Sequence, residues 1–186
     1  MIKIGIIIAS TRPGRVGDTV ARWVHDVATE HGGAEFDVVD LKDVGLPHLD
    51  EPVPALMRQY SQPHTRQWAA TVASFDAYVF VTPEYNRTFP GALKSAIDFV
   101  YAEWNNKAAG FVSYGMNGGV LAVEHLRNVM GAIGIAAVSE QVTLSLYNDF
   151  VDFTTLKPQA HQEGAVTGML DAVIAWGGAL KPLRHK

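Results

Sequence analysis

Apolar positions along the chain fall into two alternating patterns. Ile2, Ile4, Ile6, Ile7 and Ile8 form a short β-branched run without clean alternation, the pattern of a parallel strand covered on both faces. The chain then breaks at residues 10–17. From Asp18 onward Val20, Val24, Val27 and His31, with Trp23 alongside, recur at helical spacing until Gly32-Gly33 stops the helix. This strand–loop–helix unit repeats. Residues 36–41 read as a strand, 65–75 as a helix and 77–82 as a strand, followed by a loop over 83–90. Leu93, Ala96, Ile97, Val100 and Trp104 mark the next helical face, 108–113 the fourth strand, and 114–119 its loop. Leu126, Val129, Met130 and Ile133 give a helix, 136–144 the fifth strand, and Val166, Met169, Leu170, Val173 and Leu180 a final helical stripe.

Five strands alternating with five helices predict parallel strands joined by right-handed crossovers, a three-layer α/β sandwich with a doubly wound sheet. The common five-stranded order is 2-1-3-4-5, which puts a topological switch between strands 1 and 3. Ligands of such folds bind beyond the carboxyl ends of the strands, so the loops after strands 1, 3 and 4 become the informative ones. Two long stretches, 42–64 and 145–163, lack periodicity; loops of that length are often functional, disordered or packed against another subunit.

Composition narrows what such a fold does. The 186 residues suit one domain over 1–186, with 48% hydrophobic and 18% charged residues. A net charge of -4 with no basic stripe argues against nucleic acid as partner. The absence of cysteine excludes thiol redox chemistry and thiolate metal sites, so any redox work needs a bound cofactor. The seven histidines contain no closely spaced ligand pair, and no metal site is expected. No apolar run approaches a membrane span, and the N-terminal run lacks a signal-peptide pattern; the expectation is a cytoplasmic protein without a membrane partner.

The first loop, Ala9-Ser10-Thr11-Arg12-Pro13-Gly14-Arg15-Val16-Gly17-Asp18, brings hydroxyls, two guanidiniums and two glycines to a helix N-terminus. That is an anion site in outline, and a solvated turn with an N-cap is the plainer alternative. The three glycines of a dinucleotide fingerprint are missing, as is the lysine of a P-loop. A monophosphate fits better. After strand 3 comes Thr82-Pro83-Glu84-Tyr85-Asn86, followed by Pro90-Gly91-Ala92-Leu93-Lys94. Lys94 and Asp98 read as a structural i,i+4 pair.

Over roughly residues 2–143, the Ser-x-Arg loop and the Pro-Glu-Tyr-Asn loop together resemble the NADPH-dependent FMN reductase family, which includes quinone, azo-dye and chromate reductases. The resemblance implies a flavodoxin-like fold and FMN as cofactor, with Ser10, Arg12, Arg15, Val16 and Gly17 at its phosphate. It puts Pro83, Glu84, Tyr85 and Asn86 along the isoalloxazine ring, with Ser113, Tyr114 and Gly115 in a third flavin loop. Plainer readings are a proline turn with Tyr85 in the core and an ordinary glycine-rich turn at 114–119. Ala9 departs from the glycine that commonly precedes the serine. No side chain is expected to be catalytic, because the flavin carries the chemistry. NADPH or NADH is the implied donor and a quinone, azo compound, chromate or free flavin the acceptor, in a dimer or tetramer. A flavodoxin-type electron carrier serving a protein partner is the alternative, and a nucleotide-binding protein without flavin a third; Arg12, Arg15 and the near-balanced charge favour the reductase over the carrier.

Overall fold

The computed structural model describes residues 1–185. Five parallel strands form the sheet: β1 (Ile2–Ile8), β2 (Ala34–Asp40), β3 (Ala77–Pro83), β4 (Lys107–Gly115) and β5 (Ile135–Ser145). Their order is β2-β1-β3-β4-β5, the expected doubly wound arrangement with its switch between β1 and β3. Helices α1 (Gly17–His31) and α6 (Ala160–Leu180) cover one face. The other face carries α3 (Pro63–Ala73), α4 (Gly91–Asp98) and α5 (Val120–Ala132), while a single turn, α2 (Leu41–Val44), follows β2.

Each face has its own apolar core, because the central strands β1, β3 and β4 are buried on both sides. Trp68, Tyr78, Phe80, Trp104 and Phe111 fill one side; Ile4, Val79, Val112, Met169 and Val173 fill the other. Gly110 lets α6 approach closely, since a Cβ there would lie 2.8 Å from Met169 and Val173. Among the described residues no helix is long and apolar enough to cross a membrane.

Three differences from the sequence pattern have local causes. The helical face expected to run from Leu93 to Trp104 stops at Asp98. There the Ile97 carbonyl, which would accept from the Tyr101 amide in a continuing helix, accepts from the Trp104 indole at 3.2 Å instead. The Tyr101 amide donates to the Tyr60 hydroxyl at 3.3 Å. Phe99 and Trp104 are core residues. The second difference is at 42–64, which contains α2 and one 3-10 turn, Ala55–Met57, and which Glu51 ties to the start of α3 by accepting from the Ser61 and Gln62 amides. The third is at 145–163, where β6 (Phe150–Val151) and β7 (Thr155–Leu156) form an antiparallel hairpin. Lys94 and Asp98 form the expected pair at 2.7 Å.

Candidate functional site

At the carboxyl end of β1 the chain is tied down before it can turn. The Ala9 amide donates to Val81 at 3.0 Å, and the fully buried Ser10 shares a 2.7 Å hydrogen bond with the Tyr85 hydroxyl, fastening the first loop to the second. Arg15 is held by Asp40 at the end of β2 through two guanidinium–carboxylate contacts. The same carboxylate accepts from the Lys42 amide and starts α2. Arg15 is thus a brace between loop and sheet edge. Arg12 is left as the exposed guanidinium of the loop, with only the Pro13 and Gly14 carbonyls at 3.4 and 3.5 Å. No side chain caps the first turn of α1, whose N-cap is Val16.

The second loop leaves β3 at Pro83. The Glu84 amide donates to the Tyr114 carbonyl, and its carboxylate accepts from the Leu121 and Ala122 amides, capping α5. Glu84 therefore offers backbone, rather than a free charge, to the site. Tyr85 and Thr88 exchange amide–carbonyl bonds at 2.8 and 3.1 Å around Asn86 and Arg87, which have φ of 52° and 68°. Positive φ at both central positions makes a type I′ turn, where glycine is preferred at the second; Arg87 stores strain there.

In the third loop Ser113 lies behind the surface, donating to the Gly118 carbonyl at 2.6 Å and accepting from the Gln141 amide group at 3.2 Å. Gly119, at φ 71°, brings backbone against Ser113 and Tyr114 so closely that a Cβ would meet them at 2.9–3.0 Å. The Tyr114 hydroxyl is buried and has no hydrogen-bond partner among the described residues. It points at the start of α1, where a Cβ on Gly17 would lie 2.6 Å away. Burial pushes this hydroxyl well above the ordinary tyrosine range, Tyr85 adds to the shift, and Arg15 and Arg12 oppose it. It is a neutral donor at any physiological pH.

These loops enclose a cleft of about 150 Å³. Arg12, Gly14, Arg15 and Val16 line it from the first loop; Pro83, Glu84 and Tyr85 from the second; Tyr114 and Gly115 from the third. Eight of the twelve expected site residues thus meet at one place. The others stand around it: Ser10 beneath Tyr85, Gly17 against Tyr114, Asn86 exposed on the turn, and Ser113 behind the third loop. A wider cleft of about 610 Å³ opens beside Thr11, between the α2 segment and the start of α4.

Sequence reasoning missed a fourth wall: Leu146, Phe153 and Thr154 also line the smaller cleft, from the hairpin after β5. Its three-residue loop, 152–154 between the paired Val151 and Thr155, has positive φ at Asp152 and Phe153, with neither a glycine nor an asparagine to announce it. The only signal was the long aperiodic stretch itself.

An uncapped helix start, a free guanidinium and an unpartnered buried hydroxyl together suit a group with several acceptor oxygens and negative charge, such as a phosphate monoester. The residues present therefore fit the phosphate end of FMN. The family model for NADPH-dependent FMN reductase matches residues 2–149. The chain belongs to that family. Its members use FMN, with NAD(P)H as electron donor. Similar proteins include NAD(P)H-dependent FMN reductases of Nectria sp and Saccharomyces cerevisiae. The first is 42% identical over 125 residues, 64% of this chain and 62% of that protein. The second is 38% identical over 167 residues, 81% of this chain and 87% of that protein. The fold is shared with the flavoenzyme NAD(P)H:(acceptor) oxidoreductase FerB of Paracoccus denitrificans, at a TM-score of 0.73 and 22% identity, covering 96% of this chain and 98% of that one.

Proposed function

We propose that the protein is an FMN-dependent NAD(P)H oxidoreductase that passes two electrons to a small, flat organic acceptor, with a quinone as the favoured class. The observation that carries this reading is the unpartnered Tyr114 hydroxyl beside Arg12 and the open start of α1, adjacent to the Pro83–Tyr85 loop. Bound FMN supplies hydride acceptance and donation, chemistry that no side chain of this chain performs. Everything else falls to the residues around it. Arg12, the α1 amides and the Tyr114 hydroxyl would hold the phosphate; Ser10 fixes Tyr85 by their shared hydrogen bond; Glu84 and Gly115 would present backbone to the ring's polar edge.

Because Ser10, Arg15, Glu84 and Ser113 are spent on positioning, the site is rigid before any ligand arrives. The cleft beside Thr11 is large enough for a further part of a donor or acceptor molecule. In this reading the protein works in the cytoplasm as a dimer or tetramer, with the exposed Leu49, Leu56 and Met57 of the 42–64 segment supplying apolar contact area.

The test is direct. Purified protein loaded with FMN should oxidise NADPH or NADH, followed by absorbance at the nicotinamide band, in the presence of a benzoquinone. No oxidation with any acceptor overturns the reading. Turnover only with a reduced or oxidised protein partner would replace it by an electron carrier.

A further inference from the structure

We infer that the hairpin after β5 is a fourth flavin-binding element of this chain, with Phe153 as its anchor against the bound cofactor. This rests on the FMN reading above and adds residues to it.

The hairpin β6–β7 begins just past residue 149, where the family match ends. Phe153 and Thr154 line the same cleft as Arg12, Val16, Tyr85 and Tyr114. Phe153 is 51% exposed and meets Tyr147, 63% exposed, edge-on at 5.6 Å. Two large aromatic surfaces held together in water beside a cofactor cleft are costly unless a ligand covers them.

The base of the hairpin is built to hold them there. Asp149 is buried, and its carboxylate accepts from the Ser145 amide at 2.9 Å and the Gln159 amide at 3.0 Å, spanning the hairpin's two ends. The Leu146 amide donates to the Gly115 carbonyl at 2.9 Å, and the Ser145 hydroxyl to Met116 at 3.1 Å, so the same base is joined to the third flavin loop. At the tip, Phe153 takes φ 59°, a conformation unusual for an aromatic residue and consistent with a position fixed by use rather than by turn preference. The cleft of about 150 Å³ is smaller than ordinary cofactor sites. The exposed Phe153 stands at its rim, where it would cover a ring that extends beyond this volume.

The experiment compares wild type with Phe153→Ala and Phe153→Leu in FMN and riboflavin titrations of the apoprotein, read by quenching of flavin fluorescence. Stopped-flow release and the mass in solution are measured on the same samples. Phe153→Ala should weaken FMN roughly tenfold and speed its release, with Phe153→Leu in between. The factor should be similar for riboflavin, because an aromatic wall acts on the ring rather than the phosphate. Unchanged FMN affinity in both variants overturns the inference, as does a loss confined to FMN, or a change in mass with affinity intact, which would make the hairpin a subunit contact. Should wild type itself fail to bind FMN, the functional reading falls; should it bind and the variants bind equally, only the hairpin's role falls.

Discussion

The two ends of the sheet are built on opposite terms. At the amino end, ionic groups are partly buried and matched: Asp76 accepts from the Lys3 amide at 2.9 Å and pairs with Lys181 at 2.8 Å and with Arg184. Lys107 donates to the Val72 carbonyl at 2.6 Å and to Tyr78 at 3.0 Å. At the carboxyl end lie an unpartnered hydroxyl, an uncapped helix, a free guanidinium and two strained turns. The contrast shows where the fold spends stability and where it withholds it. Polar groups at the amino end are paired within the fold; those at the carboxyl end are the ones the proposed reading gives to a ligand.

The largest effect expected from testing this contrast comes from the amino end. Burial pushes the Asp76 carboxyl up, but the Lys181 ammonium, the Lys3 amide and the Arg184 charge outweigh it and hold it below the ordinary range. Its folded state therefore favours the ionised form, a stabilisation present above the unfolded value and lost as pH falls through the lower folded one. Asp76→Ala leaves two cations and an amide without their acceptor and should cost about 3 kcal/mol in urea unfolding at pH 7. It should also flatten the acid limb of the stability curve, with FMN affinity unchanged. A matching loss of FMN affinity would show that the two ends are not independent.

Lys107 sharpens the same point with the opposite sign. Burial, and then the Arg184 charge, bring its ammonium down to about 7. Between that value and the usual 10.5 the unfolded chain binds more protons than the native one, so stability rises with pH across this window. Lys107→Met should remove that slope and stabilise the protein by about 2 kcal/mol at pH 7, because the Val72 carbonyl keeps its Tyr78 donor. Chemical denaturation at pH 7 and pH 9 checks both statements; an undiminished slope would assign it to another group.

Which parts of this were legible beforehand follows the same division. The sheet order could be read because apolar periodicity is a local property of the sequence, and the first wall because its charges and glycines meet a helix start; the residues of the second and third walls came from the family resemblance. Arg12 and Arg15 looked equivalent in sequence, and only the arrival of Asp40 from the end of β2 makes one a brace and leaves the other free. Ser113 and Glu84 are likewise adjacent to the site in sequence but spend their side chains on Gly118 and on α5. The helix end at Asp98 depends on Tyr60, far away in the chain, and the hairpin wall on a turn without glycine. For Arg15, Glu84 and the end of α4, hydrogen bonds from distant parts of the chain decided the outcome, not propensity.

At the carboxyl end the expected effects are smaller on stability and larger on binding. Arg12→Ala should weaken FMN about thirtyfold, the loss of one charge-assisted contact worth about 2 kcal/mol, while riboflavin, lacking phosphate, binds as before. The melting temperature of the apoprotein should stay put, since the guanidinium makes only long contacts to Pro13 and Gly14. Tyr114→Phe separates the two properties further. Deleting a buried hydroxyl that has no partner should raise apoprotein stability by about 1 kcal/mol and weaken FMN several-fold. A destabilised Tyr114→Phe would mean that the hydroxyl is already satisfied in the ligand-free protein.

Arg87 gives the finest cut. Its φ of 68° in the second central position of the Tyr85–Thr88 turn is one that glycine adopts freely and a long side chain resists. Arg87→Gly should therefore stabilise the protein by up to about 1 kcal/mol, or a few degrees in melting temperature. If strain at this position is kept because the exposed guanidinium beside Tyr85 attracts the phosphates of the donor, the same variant raises the KM for NADPH and leaves FMN affinity alone. The effect should shrink with added salt, as expected of an exposed charge. Steady-state kinetics at two ionic strengths separates the cases: a more stable enzyme with an unchanged, salt-insensitive KM would show that the turn is strained to shape the Tyr85 loop and that its cation does not act on the donor.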